Sequence, residues 1–80
     1  MTTIEMLSAL TANDIFFRII NMVIAGLDQN NTPTYRPEYH ITIGQRGHEL
    51  FLAIDDDLDA AVRVAFEWCQ HENLIKTAIQ

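Results

Sequence analysis

Three histidines, one cysteine and a run of aspartates are the side chains of this 80-residue sequence whose types could do chemistry. Asp55, Asp57 and Asp59 occupy the first three ligand spacings of a calcium loop, but Ala60 stands where the loop needs glycine and Phe66 where it needs a bidentate glutamate. Calcium is therefore not expected, and capping of a helix accounts for the run. Cys69 and His71 are two residues apart on a predicted helix and point in different directions. With Glu67 and Glu72 nearby, nothing favours a Cys69 thiolate, so this residue reads as a small buried hydrophobe. The spacings of Cys69, His40, His48 and His71 fit no zinc pattern. His40 faces Phe51 across a predicted hairpin, which reads as a stacking pair, and His48 reads as an edge residue beside the turn. Gly26, Gly44 and Gly47 are accounted for by a helix end and a turn, which leaves no phosphate loop. No catalytic, metal or cofactor-binding residue is assigned, and no cofactor is expected.

Composition narrows the partners. Eleven acids against five bases give a formal charge of −6. Because nucleic-acid affinity depends on clustered bases, the scattered Arg18, Arg36, Arg46, Arg63 and Lys76 argue against direct nucleic-acid binding. A single cysteine excludes an intrachain disulfide and suits a reducing compartment. The opening Met1–Glu5 lacks the basic-then-apolar pattern of a secretory signal. The longest apolar run, Ile15 to Leu27, is broken by Arg18 and Asn21 and falls short of the roughly 20 residues that cross a bilayer. The expectation is a cytoplasmic protein with no membrane association.

Residues 1–80 predict one small acidic α+β domain of order α-α-β-β-α. Thr2 and Glu5 have capping-box spacing ahead of Ile4, Leu7 and Leu10 at helical intervals. Thr11 and Asp14 repeat that start signal, so the helix is expected either to run on or to break and restart. The run from Ile15 to Leu27 is read as a helix ended by Gly26, and it is apolar nearly all round. A polar loop, Asp28 to Pro33, follows. A two-stranded hairpin is predicted over Tyr39–Ile43 and His48–Ile54, with Gly44 paired to Gly47. That register puts Tyr39, Ile41 and Ile43 on the core face with His48, Leu50, Leu52 and Ile54. Asp55, Asp56 and Asp57 then open a helix whose core stripe is Leu58, Ala61, Val62, Ala65, Phe66 and Cys69. Whether it continues through Leu74 to Ile79 is open.

Two surfaces are expected. Eighty residues can scarcely cover two broadly apolar helices, so self-association as a homodimer is predicted through Ile15, Phe16, Phe17, Ile19, Ile20, Val64, Trp68 and Ile75. The outer hairpin face, with Glu38, His40, Glu49 and Phe51, forms an aromatic and polar patch. Joined to the acids Asp55, Asp56, Asp57 and Asp59, it is the expected site for a basic protein partner. A small structural or regulatory subunit of a cytoplasmic assembly is the alternative, and a minimal enzyme a third.

In its short acidic chain, its hairpin from Tyr39 to Ile54 and its alanine-bearing helix from Asp56 to Trp68, the sequence resembles the small inhibitors that phages and prophages encode against host systems, including anti-CRISPR proteins. The resemblance implies a non-catalytic inhibitor that blocks a basic, nucleic-acid-binding host complex, with carboxylates standing in for phosphates.

Overall fold

A computed structural model describes residues 1–76. Its elements are α1 (Thr3–Ala12), β1 (Phe16–Leu27), β2 (Pro33–Gln45), β3 (His48–Asp55) and α2 (Leu58–His71). The three strands form one antiparallel meander in the order β1-β2-β3, so the class is α+β and the order is α-β-β-β-α.

The principal correction concerns Ile15 to Leu27, which is strand and not helix. An apolar run interrupted only by Arg18 and Asn21 carries no periodicity that separates the two. Phe16, Phe17, Ile19, Ile20, Val23 and Ile24 are β-branched or aromatic, and such side chains suit a pleated surface better than a helix. The run pairs along its full length with β2, from Phe16↔Gly44 to Leu27↔Pro33.

The capping box at Thr2 is present: its hydroxyl accepts from the Glu5 amide at 3.1 Å, and the Glu5 carboxylate accepts from the Thr2 amide at 2.8 Å. There is no helix restart at Thr11. Asp14 takes a left-handed conformation (φ 57°) and closes α1, with Ile15 N bonded to Leu10 O and Asp14 N to Thr11 O. This is a Schellman closure, sealed by the buried pair Leu10 and Ile15. The end of α2 repeats it, with Asn73 left-handed (φ 59°) and Leu74 N bonded to Cys69 O. That helix therefore stops before Leu74; residues 77–80, part of the tail whose helicity the sequence leaves open, lie outside the described residues.

The β2–β3 hairpin lies where the sequence puts it, but its register differs. Arg46 and Gly47 both have positive φ (55° and 81°), forming a two-residue turn between Gln45 and His48, and not between Gly44 and Gly47. Beyond it, Gly44 pairs with Glu49 and Ile43 with Phe51, leaving Leu50 as the extra residue of a bulge. The shifted turn moves the pairing by two residues and keeps the expected face; the bulge adds the one residue that inverts β3. Phe51 and Ala53 share the covered face with Tyr39, Ile41 and Ile43, whereas Leu50, Leu52 and Ile54 face away, with relative exposures of 42%, 51% and 53%.

One face of the sheet carries both helices. The core joins Met6, Ala9, Leu10 and Ile15 to Ile41, Ile43 and Ala53 and to Ala61, Val62, Ala65, Phe66 and Cys69, all buried. The small side chains Ala53, Ala61 and Ala65 suit a helix lying close to the sheet. Beyond the end of β3, β1 and β2 run on as a two-stranded arm to the Asp28–Thr32 loop. The radius of gyration is 15.0 Å, against about 11.6 Å for a compact chain of this length.

Candidate functional site

Nothing among the described elements packs on the second face of the sheet. On β1 it carries Phe16, Arg18, Ile20, Met22 and Ile24; on β2, Arg36, Glu38, His40 and Thr42; on β3, Leu52 and Ile54. Rows form across the three strands by pairing. Ile20, His40 and Ile54 stand side by side, and next to them stand Arg18, Thr42 and Leu52. Ile20 and Met22 on β1 and Leu52 and Ile54 on β3 are 40–53% exposed, two apolar pairs standing on either side of Glu38, His40 and Thr42 of β2.

Polar groups lie between and beside these apolar pairs. Arg18 pairs with Glu49 at 3.1 Å, the bulge having brought Glu49 onto this face. Glu38 accepts from Arg36 at 3.4 Å and meets His40 Nε2 at 2.7 Å. Arg18–Glu49 is exposed and adds little stability, about 0–1 kcal/mol, whereas the side chains of Glu38 and His40 are partly buried, at 17% and 21% exposure. Phe16 lies over Gly44, where its ring fills the space a side chain would take.

The residues expected to bind a partner are thus divided. Glu38, His40 and Glu49 do share the open face. Phe51 does not: it is on the helix side, stacked on Trp68 with ring centroids 4.8 Å apart, so it neither stacks on His40 nor projects as an anchor. Asp55, Asp57 and Asp59 are engaged at the start of α2. Asp55 accepts from the Asp57 amide at 3.0 Å and Asp57 from the Ala60 amide at 2.9 Å. Asp59 accepts from the Thr3 hydroxyl at 2.6 Å and from Arg63, and these bonds hold its carboxyl below the usual aspartate range. Asp56 is exposed beside them.

The residues expected for self-association divide as well. Ile15 is core, and Phe17, Trp68 and Ile75 pack against the core. Phe16, Ile19 and Ile20 on β1 and Val64 on α2 remain exposed. Sequence reasoning missed Met22, Leu50, Leu52 and Ile54 as surface. The alternation of Leu50, Leu52 and Ile54 marks them as one face, but which face water meets depends on the bulge.

Among the described residues no group of three or more His, Cys, Asp or Glu could hold a metal. Burial pushes the Cys69 thiol up to about 11. No helix among them is long and apolar enough to cross a membrane.

No family model, curated protein or solved structure matches the chain.

Proposed function

We propose that this chain is a non-catalytic protein-binding module that meets its partner with the open sheet face. The observation that supports this reading is the uncovered sheet face, where exposed Ile20, Met22, Leu52 and Ile54 flank the Glu38–His40 pair, with Arg36 and Arg18–Glu49 alongside. Exposed apolar side chains interleaved with paired polar groups are what a non-obligate protein interface presents. The net charge of −6 favours a partner with a basic surface, where complementary charge speeds encounter. A phage-type, anti-CRISPR-like inhibitor that occupies a basic nucleic-acid-binding host complex fits both features.

A photo-reactive amino acid placed at Leu52, and separately at Glu67 on α2, tests it in the native host. The expected result is a single basic partner linked from position 52 and not from 67. With that partner purified, Leu52→Glu is expected to weaken binding at least tenfold and nucleic acid to compete. Linking from position 67 alone, or binding unchanged by Leu52→Glu, would overturn the reading.

A further inference from the structure

An open strand edge offers unpaired amides and carbonyls to any other strand, and proteins usually guard it with prolines, bulges or charges. Two of the free edges here are guarded. The bond from Asp28 N to Thr32 O, 3.0 Å, sets the bonding parity of the arm. The even-numbered residues of β1 exchange bonds with β2, and the odd-numbered ones on both strands turn their backbone groups the other way. Pro33 and Pro37 are odd. They face the side of β2 that β3 leaves vacant, since β3 pairing stops at Tyr39↔Asp55. The edge of β3 is short, is interrupted at Leu50 and ends in Asp55, Asp56 and Asp57.

The edge of β1 has none of these. Its 12 residues contain no proline and no acid, and its one charge, Arg18, is paired with Glu49. Among the described residues, the outward backbone groups of Ile19, Asn21, Val23 and Ala25 have no backbone partner.

We propose that β1 pairs antiparallel with β1 of a second copy of this chain, about a two-fold axis at Asn21, joining two three-stranded sheets into one of six strands. Parity requires outward residues to meet outward residues, and Asn21, the one polar side chain among the odd-numbered residues of β1, picks the register. With the axis at Asn21, outward residues meet outward residues, Ile19 opposite the partner's Val23 and Phe17 opposite the partner's Ala25. Asn21, exposed and without a side-chain bond among the described residues, meets the partner's Asn21, whose amide can both donate and accept. Any other register would set this amide against an apolar side chain of the partner strand.

Three further observations point to a second copy. The strand itself holds no acid to oppose a second copy, and the register confines like charge to its two ends, where Asp14 comes opposite the partner's Asp28. On the helix side, Ile4, Leu7, Ser8, Thr11 and Phe17 line an open groove beside this edge. The pairing brings the partner's Val23 and Leu27, which are 68% and 67% exposed in the single chain, towards it. Finally, the accessible surface is 5480 Å², against about 4,900 Å² for a folded monomer of this mass. The surplus approaches the ~800 Å² that each partner of a standard interface buries. The axis is perpendicular to the sheet, so both open faces come to lie on one side.

The test uses the full chain. Sedimentation at tens of micromolar should show a dimer. In a Cys69→Ala background, Asn21→Cys should form a disulfide-linked dimer on mild oxidation, because directly opposed Cα atoms in such a pair lie at about 5.5 Å. Leu52→Cys should not. The amides of Ile19, Asn21 and Val23 should exchange slowly with solvent only at dimer-forming concentration, while those of Ile20 and Met22 are slow throughout. Val23→Pro, whose lost amide is an outward one, should yield a folded monomer by circular dichroism and sedimentation. A monomer at all these concentrations, fast exchange at Asn21 in the dimer, or linking at position 52 in place of 21 would overturn the pairing. Occupation of this edge by a foreign peptide at the dimer's expense would overturn it too.

Discussion

The ring of Phe51 lies against the indole of Trp68, centroids 4.8 Å apart and planes inclined by 13°. This stack joins β3 to α2 on the covered face of the sheet. Phe51→Ala is expected to lower unfolding free energy by about 3 kcal/mol, from lost burial and a residual cavity. Denaturant unfolding followed by tryptophan fluorescence measures it. Partner affinity, measured well below the new unfolding midpoint, should be unchanged, because Phe51 is not on the open face.

Two non-glycine residues close helices in the left-handed region, at a cost glycine would not carry. Asp14→Gly should therefore stabilise the fold by roughly 0.5–1 kcal/mol, the αL strain relieved outweighing the added unfolded-state entropy. An unchanged or lowered melting temperature would show that the aspartate is held there by something other than helix closure.

The thiol of Cys69, pushed up to about 11 by burial, should be inert. At pH 7 about one molecule in ten thousand would carry the thiolate. Thiol-reactive dye should label the unfolded protein within minutes and the native protein only at the rate of opening. Cys69→Ala should cost about 1 kcal/mol and leave binding intact.

Stability should fall on acidification, and the sign follows from two carboxyls. Asp59, held below its ordinary value of 3.8 by bonds from Thr3 and Arg63, and Glu5, held below 4.5 by the Thr2 amide and hydroxyl, both bind protons more weakly when folded. Their contribution is complete above those ordinary values and is lost as pH drops through the lower folded ones. Asp59→Asn should flatten the melting-temperature profile below pH 4 while leaving its shape at higher pH unchanged.

What the sequence reveals follows how local each signal is. The Thr2–Glu5 box, the Asp57 cap and the buried stripe of α2 are legible because each rests on contacts within a few residues. The β2 core face is legible from its alternation. Ile15 to Leu27 is not, because its state depends on a partner strand that begins at Pro33. The direction of Phe51 is lost for a related reason: it depends on the bulge at Leu50, because moving the turn by one position shifts the pairing by two residues and keeps the face, whereas the one extra residue turns β3 over. The open face, and with it the candidate site, depends on that same residue.

Gly44 lies beneath the ring of Phe16, and a Cβ at this position would also come within 2.5 Å of the His48 carbonyl. Both neighbours belong to the sheet, so no side chain fits without moving a strand. A distant relative could exchange nearly every surface residue and still keep this constraint. An aromatic at position 16 with glycines at 44 and 47 is therefore the pattern by which kinship would outlast detectable sequence similarity.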